Sequence, residues 1–238
     1  MDKIIDMKIV RFREGFVNVY FVRSAVGWMV IDAGLPKKQR KIERFMYHKG
    51  IRPCDIKLVI ITHVHYDHVG GLAYLKHLSC AQVMVHASEA ELLENAESVL
   101  PKPFSGFGRL AVKLGKLMPG TTKFKAVKAD QPIRSKTDLR SWGFTAHIIP
   151  TPGHTEGSLS VVFESGDAFV GDACFNNWGK TVIPPFINDP QELLKSWNRL
   201  NETGAIRFYP GHGRVFDVKK LHYSIQRLEK KTERLNNS

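Results

Sequence analysis

The chain has 238 residues, of which 43% are hydrophobic, and a formal net charge of +12. That length suits one large α/β domain, and the apolar content is ample for a core. No apolar run reaches the ~18 residues of a membrane-spanning helix. Three cysteines, Cys54, Cys80 and Cys174, are odd in number and far apart, which excludes a disulfide framework.

The first six residues carry Asp2 and Asp6 and no continuous apolar stretch, so they do not read as a secretory signal. A reducing cytosol is the expected compartment. The positive charge admits an acidic partner: nucleic acid, an anionic membrane surface or an anionic metabolite. A generally basic, soluble surface is the preferred reading, because no RNA-binding motif, low-complexity tail or internal repeat accompanies the charge.

In chain order, residues 16–22 and 28–31 are strand-like runs joined by a turn near Gly27, a predicted hairpin. It ends in Asp32-Ala33-Gly34, which on its own reads as a turn aspartate before glycine. Residues 37–49 predict a basic helix with Ile42, Phe45, Met46 and Lys49 on one face and Gly50 just past its end. Leu58-Val59-Ile60-Ile61 is a buried strand. Thr62-His63-Val64-His65-Tyr66-Asp67-His68-Val69-Gly70-Gly71 follows at once. Leu72, Leu75 and Leu78 recur at helical spacing, so a helix is expected from Val69 or Gly70, leaving the histidines and Asp67 in a tight loop.

A strand over 82–86 leads to Ser88-Glu89-Ala90-Glu91, a capping-box pattern predicting a helix to about Glu97. His86 is read as a strand-end residue. Residues 98–131 read as a helical insertion. Pro101 and Pro103 break the preceding helix, and Phe107, Leu110, Ala111, Leu114, Leu117 and Met118 then make an apolar stripe with Arg109, Lys113 and Lys116 off it. That helix is a lid over a cleft, a membrane-surface or dimer contact, or ordinary packing. Strands are expected at 144–149, 159–163, 168–170 and 206–209. Asp189, Pro190 and Glu192 predict a capped helix to about Thr203, and a last helix starts near Val218.

Three histidines and an aspartate within six residues point to a metal site, because imidazole nitrogen and carboxylate oxygen suit zinc and other first-row divalent ions. His63 and His65 alternate with Val64, so an extended chain aims both imidazoles to one side. Thr155, Ser158 and Cys174 lie near ligand-type residues, yet no base pattern singles one out as a nucleophile.

His63-x-His65-x-Asp67-His68 resembles the signature of the metallo-β-lactamase-fold hydrolases. The family's later His, Asp and His have matching positions at His154 in Thr151-Pro152-Gly153-His154, Asp172 in Gly171-Asp172-Ala173, and His212 in Pro210-Gly211-His212. The resemblance covers almost the whole chain. It implies one domain over residues 1–238, an αβ/βα sandwich of two mixed β-sheets with helices on the outer faces, and a site at one edge of the sheets. It also implies two divalent metal ions, zinc first, with iron or manganese as alternatives. His63, His65 and His154 would hold one, Asp67, His68 and His212 the other, and Asp172 would bridge. A hydroxide between the ions would be the nucleophile, with Asp67 assisting proton transfer. Asp32 would support the metal loop from behind.

Asp67 and Asp172 together depart from the true β-lactamases of the family, and the set is similar to thioester hydrolases of the hydroxyacylglutathione type, lactonases and some phosphodiesterases. A small ester, lactone or thioester is therefore the expected substrate. A phosphodiesterase or nucleic-acid-processing hydrolase is the alternative. Two departures weigh on the choice: no substrate-binding Tyr follows Asp172, and no glutathione-binding run of Lys, Arg and Tyr stands near the end of the chain. Outside enzymes, a basic nucleic-acid-binding protein rests on charge alone, and a regulatory module on a dead hydrolase fold conflicts with the intact ligand set.

Overall fold

A computed structural model describes residues 7–99, 102–115, 122–177 and 179–236. The first half contains β1 (Lys8–Glu14), β2 (Val17–Arg23), β3 (Trp28–Ile31), α1 (Gln39–His48), β4 (Ile56–Ile60), α2 (Tyr66–Val69), α3 (Leu72–Ser79), β5 (Gln82–His86) and α4 (Ala90–Glu94). Then come α5 (Gly106–Gly115), β6 (Gln131–Ile133), β7 (Thr137–Asp138), β8 (Ala146–Pro150), β9 (Leu159–Phe163), β10 (Asp167–Asn176), α6 (Pro190–Glu202), β11 (Arg207–Gly213), β12 (Phe216–Asp217) and α7 (Val218–Asn236).

Both sheets are mixed. In one, β1, β2 and β3 are antiparallel neighbours, and β3, β4, β5 and β6 run parallel. In the other, β7 to β10 form an antiparallel run, and β10 pairs in parallel with β11. A single pair, Val17 with His212, links β2 to β11, so the hydrogen-bonded strand order runs unbroken through both sheets.

Period-2 alternation explains the layers. Met29, Ile31, Leu58 and Ile60 point inward and meet Ile148, Val161 and Phe169 of the second sheet. Val30, Val59 and Ile61 point the other way, against Ile42 and Met46 of α1 and Leu72 and Leu75 of α3. On the far side, Val170 and Phe208 meet Leu193, Trp197 and Leu200 of α6 and Leu221 and Leu228 of α7. Three cores between four layers give the expected αβ/βα sandwich. Each fully buried side chain of this kind stabilises the fold by roughly 1.5–3 kcal/mol.

Three local expectations change. β1, which the hairpin reading omits, adds an antiparallel strand outside β2. The helix after β4 begins at Tyr66, so Asp67 and His68 sit on a helical turn and not in a loop. Its N–H groups at His68 and Val69 both bond the His65 carbonyl, and this turn rotates both side chains inward. The capping box at Ser88 does not form. The His86 side chain accepts from Ser88 N, a short 3-10 turn follows, and α4 ends at Glu94. Within the expected insertion, Val127 and Ala129 belong to the first outer core, and Val127 N bonds Leu93 O. Helix α5 rests on the 185–186 segment: Gly108 packs so close that a Cβ there would lie 2.4 Å from Pro185 O. Leu110 is 54% exposed, while Leu117, Met118 and the side chains of Phe107, Ala111 and Leu114 lie outside the described residues.

Candidate metal centre

One turn after a strand and two strand positions aim three more side chains at the turn that follows β4. His154 follows β8 through Thr151-Pro152-Gly153, Asp172 lies within β10, and His212 lies on β11. Gly153, at φ 132°, packs against the Leu193 backbone at the start of α6, which leaves no room for a side chain there. Gly211 is needed for a different reason: a Cβ there would lie 2.5 Å from Asp172 Oδ1 and 2.6 Å from His68 Cε1.

The result is one buried cluster. His63 Nε2, His65 Nδ1 and His154 Nε2 stand 3.0 to 3.2 Å apart. Tetrahedral ligands about 2.0–2.1 Å from zinc would be roughly 3.3–3.4 Å apart, so the spacing fits such an ion. Asp67, His68 and His212 form a second group, with His212 Nε2 3.4 Å from Asp67 Oδ2 and 3.3 Å from His68 Nε2. Asp172 lies between: Oδ2 is 3.8 Å from His154 Nε2 and 3.2 Å from His212 Nε2, and Oδ1 is 3.4 Å from His68 Nε2. Ligand atoms within each of the groups His63/His65/His154, His63/His68/Asp172 and Asp67/His68/His212 lie within 4.8 Å of one another.

The outer ring nitrogens say what the inner ones are for. His154 Nδ1–H donates to Phe186 O, 2.9 Å away, and His212 Nδ1–H to Phe16 O at 2.8 Å. His68 Nδ1–H donates to Asp32 Oδ2 at 2.8 Å. Thr62 Oγ1 donates to Asp32, so its lone pair accepts from His63 Nδ1, 3.1 Å away. With those protons held outside, His63 and His154, which burial keeps neutral, present lone pairs inward. Ring nitrogens of three histidines that converge to 3.0–3.2 Å suit a cation held between them. Asp172 Oδ1, buried with no hydrogen-bond partner, points the same way.

Protonation follows this geometry. Burial, reinforced by neighbouring imidazoles, pushes His63 and His65 well below the ordinary histidine value, and burial also lowers His154. Burial works the same way on His68 and His212. There the carboxylates outweigh it, Asp32 and Asp172 raising His68, and Asp172 and Asp67 raising His212. Burial would raise Asp172, but His212 and His68 hold it well below the usual carboxylate range.

Asp32, read as a support for the loop, takes that place at φ 63°, in the left-handed region that favours glycine. Its carboxylate also accepts from Thr62 N. Three supporting residues escape sequence reading. Glu89, 5% exposed, accepts from Val64 N and from Gly157 N, clamping the His63–His65 segment to the His154 segment. Asn18 Nδ2 donates to Pro210 O and Gly213 O, and Tyr20 OH to Pro210 O, which fixes the turn that carries His212. Glu89 is hidden inside an apparent capping box, and Asn18 and Tyr20 inside an ordinary strand, so no local signal marks them. Cys174 is buried beside Asp172, and burial pushes its thiol pKa up, so it is a poor nucleophile.

Residues 12–212 match the family model for the metallo-beta-lactamase superfamily. The chain belongs to that superfamily. A Methanocaldococcus jannaschii protein named a probable metallo-hydrolase is 27% identical over 202 residues, covering 82% of this chain and 87% of that protein. A probable metallo-hydrolase of Streptococcus pyogenes serotype M6 is 31% identical over 203 residues, with 82% and 78% covered. The chain spans 66% and 63% of the beta-lactamase-like protein 2 homologues of Drosophila melanogaster and Caenorhabditis elegans. Among solved structures, a Cronobacter sakazakii metallo-beta-lactamase with a HARLDQ motif superposes with a TM-score of 0.69 at 19% identity. It covers 96% of this chain and 91% of that one, a likeness of fold. Membership and the buried His/Asp cluster together make this chain a metal-dependent hydrolase. Among the described residues no helix is long and apolar enough to cross a membrane.

Proposed function

We propose that His63, His65, Asp67, His68, His154, Asp172 and His212 hold two divalent ions, zinc first, and that the chain hydrolyses a small ester, lactone or thioester. The observation that carries the metal reading is the buried convergence of five imidazoles and two carboxylates, with the outer nitrogens of His63, His68, His154 and His212 tied to oxygen acceptors. Bound divalent ions would supply a Lewis acid for the carbonyl oxygen and water acidified enough to attack at neutral pH. His63, His65 and His154 form the neutral side of the cluster. Asp67 and Asp172 bring the negative charge to the other, with Asp172 reaching both groups. The Asp67 carboxylate takes the proton released on attack and passes it to the leaving group. Asp32 and the Phe16 and Phe186 carbonyls keep the imidazoles from turning. The acyl class of the bond rests on the resemblance of this ligand set to thioester hydrolases and lactonases.

We read residues 1–238 as one hydrolase domain, with α5 set against the segment that anchors His154. It rests on Pro185, next to Phe186, whose carbonyl holds His154. A panel of ester, lactone, thioester and phosphodiester substrates, run on metal-reconstituted protein alongside elemental analysis, tests this reading. The expected result is two ions per chain and turnover of an acyl substrate, retained in Cys174→Ser. No more than one ion after reconstitution, or a dead Cys174→Ser with unchanged metal content, overturns it. Turnover of the phosphodiester alone replaces the acyl reading.

A further inference from the structure

The last helix sorts its side chains into stripes that packing alone does not require. At ~100° per residue, the buried Leu221, Ser224, Leu228 and Thr232 share one face. Glu229 and Glu233 fall together on a second flank. Arg227, Lys230, Lys231 and Arg234 recur at i, i+3, i+4 and i+7 on a third. That spacing ordinarily makes an apolar stripe. Here it is wholly cationic and lines, with Thr181 and Ile183, a cleft of about 380 Å³.

None of the four cations joins an ion pair among the described residues. Glu233 lies three residues from Lys230, yet among the described residues neither Glu229 nor Glu233 forms an ion pair with the four cations. Lys231 is drawn inward: its Nζ donates to Phe104 O at 3.1 Å and lies 3.9 Å from the Phe104 ring centre. Burial, and then the nearby Arg109, lower its pKa. Unpaired charge collected in a concavity differs from charge spread over a convex surface. Cations gathered along one open groove raise the local positive potential and favour an anion there.

We propose that this cleft binds an organic phosphate through a pyrophosphate-type group. A monocarboxylate would offset one of the four cations, whereas each phosphoryl group brings about −1.5 to −2 charges, so two of them match the set. Arg227 and Arg234 offer planar guanidinium forks for phosphoryl oxygens, and the Lys230 ammonium and Thr181 hydroxyl add single donors. A cleft of about 380 Å³ is in the range of small-molecule sites. It shares no residue with the metal cluster, so the inference does not depend on the hydrolytic reading.

The test is calorimetric titration of inorganic pyrophosphate into the metal-loaded full chain, with metal content checked afterwards. One saturable site is expected. Its affinity should fall at least about tenfold in Arg227→Glu/Arg234→Glu, as loss of charge-assisted contacts predicts. It should be unchanged in Arg40→Glu/Arg44→Glu, which makes the same charge change on exposed positions of α1. Circular dichroism checks folding, and Arg227→Gln/Arg234→Gln replaces the first variant if it misfolds. Equal losses in both pairs would reduce the effect to net charge. An unchanged affinity in the α7 variant would place pyrophosphate at the metal cluster. Absence of saturable binding would sink the site outright.

Discussion

The two halves of the chain furnish the metal cluster in opposite ways. The first supplies four candidate ligands within six residues, all on one turn after β4, so a single local structure orients them. The second supplies three, at positions 154, 172 and 212, each from a separate strand and correct only once the sandwich is assembled. The first group depends on the fold for burial, the second for its very existence. That is why the supports differ. The β4 turn is held by side chains, Asp32, Thr62 and Glu89. His154 and His212 are anchored by backbone carbonyls, Phe186 O and Phe16 O.

The harshest way to break this comparison is to remove ligands from each half. His68→Ala and Asp172→Ala are both expected to lower kcat/KM by at least about a thousandfold, the scale of lost Lewis-acid and nucleophile chemistry. Far-ultraviolet circular dichroism should remain that of the parent. Elemental analysis then tells the halves apart. Asp172 touches both groups, so its loss should deplete both ions, whereas His68→Ala should leave the ion expected among His63, His65 and His154. Equal metal loss in the two variants would contradict the two-group arrangement.

A subtler break uses the space that the second half requires. Gly211→Ala adds a methyl that must displace Asp172 or His68. Misplacement on the ångström scale costs about a hundredfold in rate. Activity should fall by that order with little change in melting temperature. Gly50→Ala, in a position with open space and φ 66°, should do the reverse, costing a little stability and no activity.

Glu89 sharpens the comparison, because it is the side chain that ties one half's loop to the other's. Glu89→Ala leaves Val64 N and Gly157 N without their acceptor. A metal affinity reduced by about 10- to 100-fold is expected, the usual effect of losing an outer support. Competition with a calibrated chelator measures it. An unchanged affinity would mean that the two loops are positioned independently.

Legibility in the sequence followed the same divide. The β4 turn announced itself, because its four ligand-type residues are adjacent and follow an apolar strand. His154, Asp172 and His212 were readable only through the family resemblance; by themselves they are one histidine after Pro-Gly, one aspartate after Gly and one histidine between glycines. Short apolar strands, such as residues 82–86 and 159–163, fell where the pattern placed them, and Asp189 caps α6 through Gln191 N and Glu192 N. Glu89, Asn18 and Tyr20 were not legible. Their partners are backbone groups 25 to 195 residues away, and backbone groups leave no mark in a sequence. The apparent capping box misled because His86 Nδ1 takes both Ser88 N and Ser88 Oγ, which engages the serine before a helix can start on it.

The smallest effect on activity comes from the second aspartate of β10, which isolates stability from chemistry. Asp167, five residues before Asp172 at the far end of the strand, accepts from Arg207 Nε at 2.7 Å and Nη2 at 2.9 Å, from Ser165 Oγ at 2.7 Å and from Tyr209 OH at 2.9 Å. Burial would raise its pKa, but the Arg207 guanidinium and the two hydroxyls outweigh that and hold it below the ordinary carboxylate value. A carboxyl depressed in the folded state stabilises the protein above its unfolded pKa, and that contribution is lost as pH falls through the folded value. Asp167→Asn should therefore cost about 1.5–3 kcal/mol at pH 7 by chemical denaturation, the range for hydrogen bonds to a charged group. The gap to the parent should close as the pH drops below about 4. Metal content and turnover should not move. If Asp167→Asn also released metal, the two ends of β10 would be mechanically coupled, and the cluster could no longer be treated as positioned by its own turns.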